Sequence, residues 1–178
     1  RFLAQICFAD SMDIVGPLPG QVLLIFGDEE ALFEPERLFF KWLPLGLENL
    51  VTELPPVDPD EVLSPFYGVI YRTEDWPEAL GVLEEKYRNP EDIAVLQGTK
   101  IGGVPSWIQG EEPLAGRFLA SLGTISVSLF QPWPFVNVPE PLGWDYDDHS
   151  LKIGDMGLLY LFLDQQGTGT VRAVSQCY

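Results

Sequence analysis

Arg1-Phe2-Leu3-Ala4 and Arg117-Phe118-Leu119-Ala120 are the same tetrapeptide, and each is followed downstream by an apolar run ending in aspartate. The runs are Val22-Leu23-Leu24-Ile25-Phe26-Gly27-Asp28 and Leu158-Leu159-Tyr160-Leu161-Phe162-Leu163-Asp164. Two short matches in the same order point to an internal duplication, because a chance recurrence of one tetrapeptide would not bring its partner strand with it. The expectation is a single domain over residues 1–178 with two related half-units, at 1–98 and 99–178. The wider spacing in the second copy implies an insertion of about 20 residues there.

Sixteen prolines and seventeen glycines in 178 residues favour short strands joined by turns over long helices. Strands are expected at Phe2–Phe8, Val22–Phe26, Leu38–Leu43 and Ser64–Thr73, with a second set from Leu114 to Leu129 and a closing pair after Lys152. One amphipathic helix is expected from Trp76 to Tyr87, capped by Asp75, with Leu80, Leu83 and Tyr87 on one face. A shorter one fits Pro90–Gln97. The fold class is therefore strand-rich α+β, built from short antiparallel strands with one or two helices.

Hydrophobic residues make up 46% of the chain and charged residues 21%, which excludes a disordered acidic tail. With 27 acidic against 10 basic residues the net charge is −17. A field of that sign repels phosphate, so nucleic acid and anionic membrane surfaces are excluded as partners, and a basic protein is the partner the charge fits. No apolar stretch reaches the roughly 18 residues that span a bilayer. Cys7 and Cys177 form neither a disulfide framework nor a metal set, and a reduced, cytoplasmic setting follows. No cofactor or metal is expected.

Three segments carry candidate chemistry. In Lys100-Ile101-Gly102-Gly103-Val104-Pro105-Ser106-Trp107-Ile108-Gln109 the glycine pair permits positive φ or close backbone approach, while Pro105 and Trp107 fix and bury the loop. No Gly-x-Gly-x-x-Gly follows, so a structural turn is expected there rather than a phosphate cradle. Gln5 and Gln109 lie in apolar stretches and are expected to bond backbone where the half-units meet. The long segment Gln131–Lys152 holds Trp133, Trp144, Asp145, Asp147, Asp148 and His149. His149 is the single histidine available as a general base, and the three aspartates beside it could orient it, which makes a hydrolase one alternative. The same aspartates lack the glycine and terminal glutamate of a calcium loop. Trp133 and Trp144 beside them suit the rim of a protein interface.

The pieces Phe2-Leu3-Ala4-Gln5-Ile6, Leu18-Pro19-Gly20, Ile101–Gln109, Gly154-Asp155-Met156-Gly157 and Gln176-Cys177 occur in an order that resembles the YwqG-like bacterial family, a domain of unknown function. The resemblance spans most of the chain. It implies a two-repeat, strand-rich α+β fold without an established reaction, and it adds an immunity role against a basic toxin as a second alternative. This chain departs from the family by Ile153 in place of a tryptophan, by the Gln131–Lys152 insertion, and by a shortened or missing part upstream. The expectation is a non-catalytic binding or interaction domain.

If Asp145, Asp147 and Asp148 belong to a face for a basic partner, association is fast and slows steeply with salt, since screening limits exposed charges to about 8 Å at physiological ionic strength. Binding kinetics of the Asp145/Asp147/Asp148→Asn variant check this. An association rate that ignores both salt and the triple substitution makes the segment ordinary solvated surface.

Overall fold

The structure, a computed structural model, describes residues 2–28, 30–32, 34–46, 68, 70–72, 75, 98–112, 116–123, 153–154, 157–165 and 168–177. Strands β1 (Phe2–Cys7), β2 (Val22–Phe26) and β3 (Phe39–Leu43) form a three-stranded sheet in that order. Strands β4 (Lys100–Ile101), β5 (Arg117–Gly123), β6 (Leu158–Leu163) and β7 (Val171–Gln176) form a four-stranded sheet, also in chain order. Among the described strands all five pairings are antiparallel. Among the described residues the α-helical content is α1 (Met12–Val15), with 3₁₀ turns at Ala9–Ser11, Glu30–Leu32 and Pro35–Arg37.

The two sheets face each other over one contiguous core. Ile6, Leu23 and Ile25 of the first sheet, with Phe8 and Val15 from the connection between β1 and β2, pack with Leu119, Ala120, Leu122, Leu159, Leu161 and Leu163 of the second. Leu23, Ile25, Leu159 and Leu161 are all 0% exposed. Period-two alternation sends the other residues of each strand to the outer faces. There the sheets differ: β6 is buried at all six positions, whereas β2 alternates between buried and half-buried. Trp42 ties the sheets at one edge by donating from Nε1 to the Gly169 carbonyl at 2.9 Å, and Arg117 donates to the Pro17 carbonyl at another point.

The registers of β1–β2 and β5–β6 run in parallel. Phe2 faces Phe26 and Ala4 faces Ile25, with a register shift between them. Phe118 faces Phe162 and Ala120 faces Leu161, again with a shift between them. At each shift two successive residues, Leu3 with Ala4 and Leu119 with Ala120, turn toward the core, as a β-bulge dictates.

The strand-rich architecture of short antiparallel strands agrees with the sequence. Of the strand expected at Ser64–Thr73 only 68 and 70–72 are described: Gly68 forms an isolated bridge, and Ile70 and Tyr71, 52% and 61% exposed, belong to no strand. Helices expected at Trp76–Tyr87 and Pro90–Gln97, and the Gln131–Lys152 segment, lie outside the described residues. The Asp75 carboxylate accepts from Lys100 Nζ, at 3.0 Å to each oxygen, and from the Val104 amide at 2.6 Å.

The alternation yields a direct comparison of two neighbours. Leu23→Ala removes a fully buried side chain and is expected to cost about 2–5 kcal/mol, and Leu24→Ala, on the half-buried outer row, clearly less. Denaturant unfolding measures both; equal losses contradict the one-sided burial of β2.

Candidate functional site

The outer faces of the two sheets carry the features that bear on function, and the first to consider is the covered one. Phe118, Leu158, Tyr160 and Phe162 project from the outer face of the four-stranded sheet and are covered by Trp107 and Ile108. The Trp107 indole stacks on Phe162 with centroids 5.8 Å apart and 11° between planes, and it tilts against Tyr160 at 4.6 Å. Tyr160 donates its hydroxyl proton to the Ser106 carbonyl at 2.6 Å, which satisfies the polar end of a fully buried ring.

The chain reaches this position through Gly102 and Gly103, whose φ values are +70° and +76°. A Cβ at Gly102 would strike the Ile14 side chain, and one at Gly103 the Asp75 carboxylate, so both the backbone conformation and the space call for glycine. Lys100 Nζ, gripped by Asp75, also reaches Ser106 Oγ at 3.4 Å. Pro105 is half-buried between these anchors.

Gln176, at the end of β7 and 4% exposed, secures the far side of the loop. Its Oε1 accepts from the Ile108 and Gln109 amides at 3.1 and 3.0 Å, and its Nε2 donates to the Gly110 carbonyl at 2.9 Å and Glu112 Oε1 at 3.3 Å. A side-chain amide offers two acceptor sites and two donors, and all four are used here. Gln109 adds a bond from Nε2 to the Cys177 carbonyl at 2.6 Å, and its side chain is exposed. Gln5 is exposed on the outer face of β1 instead of buried at a half-unit interface. The buried amide is therefore Gln176. The one hint in the sequence is its place in the terminal Gln176-Cys177 pair.

The outer face of the three-stranded sheet is built alike, and among the described residues no loop is seen packed across it as Trp107 is across the other. Across it run Phe2, Phe26 and Phe39, register partners in sequence, followed by Leu24 opposite Lys41 and Val22 opposite Leu43. Phe2 and Phe26 pair edge to face with centroids 5.8 Å apart. Phe39 is 73% exposed and Phe2 49%, while Val22, Leu24, Phe26, Leu43 and Cys7 are half-buried. A separate open groove of about 590 Å³ lies between the turn at Pro35–Arg37 and β7. Leu38, Phe40, Ala173 and Val174 line it beside Glu36, Glu112 and Arg172, so it combines apolar surface with both signs of charge.

Elsewhere on the surface, Arg72 grips Asp13 through two hydrogen bonds of 2.8 and 2.9 Å and donates to the Asp10 carbonyl at 2.7 Å. That hydrogen bonding, with the attraction between the charges, holds the Asp13 carboxyl below the ordinary aspartate range and Arg72 above its own. A lowered folded-state value means that the pair's contribution is present above the unfolded aspartate pKa and is lost as pH falls through the folded one. The pair is fully exposed, and solvent screens it.

Trp133, Trp144, Asp145, Asp147, Asp148 and His149 lie outside the described residues. Among the described residues no group of three or more His, Cys, Asp or Glu side chains is placed to hold a metal ion, and no helix is long and apolar enough to cross a membrane. Cys7 and Cys177 are both free thiols. No known family pattern matches this chain, and neither a curated protein nor a solved structure is significantly similar to it.

The Gln176 clamp can be tested by removing the amide. Gln176→Ala leaves the Ile108 and Gln109 amides without their acceptor and is expected to cost about 1–3 kcal/mol. Trp107→Ala, at a half-buried site, falls toward the low end of the about 3–5 kcal/mol of a buried aromatic truncation. Melting curves read both, and an unchanged melt for either variant contradicts the structural role given to the loop.

Proposed function

We propose that this chain is a non-catalytic interaction domain that binds a protein partner through the outer face of its three-stranded sheet. One observation carries the reading. β2 reads as an uninterrupted apolar run, the composition of a strand covered on both faces, yet only its inner positions, Leu23 and Ile25, are fully buried. Phe2, Leu24, Phe26, Phe39 and Leu43 consequently form a contiguous apolar surface, and such surfaces, rimmed by polar groups, mark contact sites. The net charge of −17 favours a partner with basic residues around an apolar centre. A basic toxin would meet that description, and an immunity role is the form of this reading that the YwqG-like resemblance adds.

The duplication belongs to the same proposal. Its support is the shared tetrapeptide, the matching registers and the bulge at equivalent places in β1 and β5. Gly20 and Gly157 add to it, since a Cβ on either would press on the backbone of Leu43 or Gln176, which are themselves register partners of Val22 and Leu158. Membership of the YwqG-like family and a cytoplasmic setting remain part of the proposal, supported by the ordered motifs and by the use of only two cysteines.

Selection from a random peptide display library against the wild type and a Phe2→Ser/Phe39→Ser variant tests the reading. Both side chains are exposed, so the variant is expected to fold as the wild type does. Sequences enriched on the wild type should be lost on the variant, and their association should slow with added salt. Equal enrichment on both proteins sinks the assignment of this face.

A further inference from the structure

The chemistry of the partner can be read from the covered sheet, and this inference rests on the protein-binding reading above. In the covered sheet β4 adds to β5, with Lys100 opposite Ser121 and Ile101 opposite Ala120, and the Gly102 amide donates to the Leu119 carbonyl at 2.7 Å. The chain then turns at two glycines of positive φ and lays Trp107 across Tyr160 and Phe162. Register places Gln5, Ala4 and Leu3 of β1 where Ser121, Ala120 and Leu119 stand, and Leu24 and Phe26 of β2 where Tyr160 and Phe162 stand.

On that side β1 is an edge strand, and among the described residues no strand pairs with its outer edge. Of the two rings the indole touches, Phe162 has an aromatic counterpart in Phe26 and Tyr160 has Leu24, and the ring beside each phenylalanine is also matched: Phe2–Phe26 at 5.8 Å against Phe118–Phe162 at 5.5 Å. An open strand edge beside an exposed apolar face is the arrangement that takes an added strand, with main-chain bonds supplying affinity and side-chain pockets specificity.

We propose that this edge and face together bind a segment of a partner polypeptide consisting of a short strand, a Gly-Gly turn and a tryptophan. The strand adds to β1, and the indole lies on Leu24 and Phe26 between Phe2 and Phe39. Three differences between β3 and β7 refine the partner. Leu43 stands in the register position of Gln176, and Phe39 in that of Arg172. Lys41 stands in the position of Val174, so the face lacks the amide clamp and carries one cation beside its apolar strip, and the partner's main chain is held chiefly along β1. A second copy of this chain is the poorer occupant, because two bodies of net charge −17 repel and would bring Lys41 of each face into an apolar contact.

The test uses a fluorescently labelled peptide with the sequence of residues 100–109, added to the 178-residue protein and followed by anisotropy. Saturable binding is expected, weakened by about tenfold or more when the peptide's tryptophan is replaced by alanine, and equally when the protein carries Phe2→Ser/Phe39→Ser. Absence of saturable binding overturns the inference. So does binding that the Phe2→Ser/Phe39→Ser variant retains, which would place the peptide on the four-stranded sheet in exchange for the native loop. Sedimentation of the wild type as a dimer that this variant dissolves and the peptide does not compete assigns the face to a second copy. It overturns the tryptophan segment while leaving a protein-binding face in place. Display selection that enriches peptides without tryptophan separates the two readings in the same way.

Discussion

The packing of one sheet's inner face against the other's is the constraint from which the remaining features follow. Leu23 and Ile25 are buried in one core with Leu159, Leu161 and Leu163 of the second sheet. A two-layer arrangement of this kind buries one face of each sheet and leaves two outer faces to be accounted for. Their different treatment is the most informative property of the molecule. The four-stranded sheet covers its outer face with the Trp107 loop, and the three-stranded sheet presents a comparable apolar row to solvent.

Covering an outer face with a loop demands that the loop's own backbone groups find partners, since a buried amide without one costs free energy of the order of a lost hydrogen bond. Gln176 and Asp75 meet that demand from opposite ends. Gln176 takes two amides and a carbonyl, and Asp75 takes the Val104 amide together with the Lys100 ammonium. Asp75 and Lys100 are both largely removed from solvent, with side chains 24% and 15% exposed. Loss of either partner would strand the other's charge in that setting. The loop is thus an integral part of the second sheet.

How much of this was legible in the sequence depends on how local the cause is. The strands at Phe2–Cys7, Val22–Phe26 and Phe39–Leu43 could be read because apolar composition and flanking Gly and Pro are local signals. The positive-φ glycines at 102 and 103 were legible for the same reason. Gln176 was not, because its partners are more than 60 residues away and nothing in its neighbourhood says that an amide will be buried there. Gln5 misled in the complementary way: an apolar context suggests burial, but alternation puts its side chain on the outer face, where it is exposed. The exposure of the Phe2–Phe26–Phe39 row was equally hidden, since β2 and β6 read alike and differ only in what lies across them.

That likeness between β2 and β6 constrains function more than any single residue does. A strand exposed to water on one face has no physical need for apolar residues there, and exposed strand edges and apolar faces carry a risk of self-association. Here the risk is offset in part by Lys41 in the middle of the outer row and by a net charge that keeps copies apart. Neither device explains why Phe39, at 73% exposure, is aromatic at all. The register answers the question. Phe39 faces Phe26, which faces Phe2, so the three rings form a continuous apolar strip across all three strands. That strip lies beside a strand edge with which no described strand pairs, and in the companion sheet a strand followed by a tryptophan covers the corresponding place.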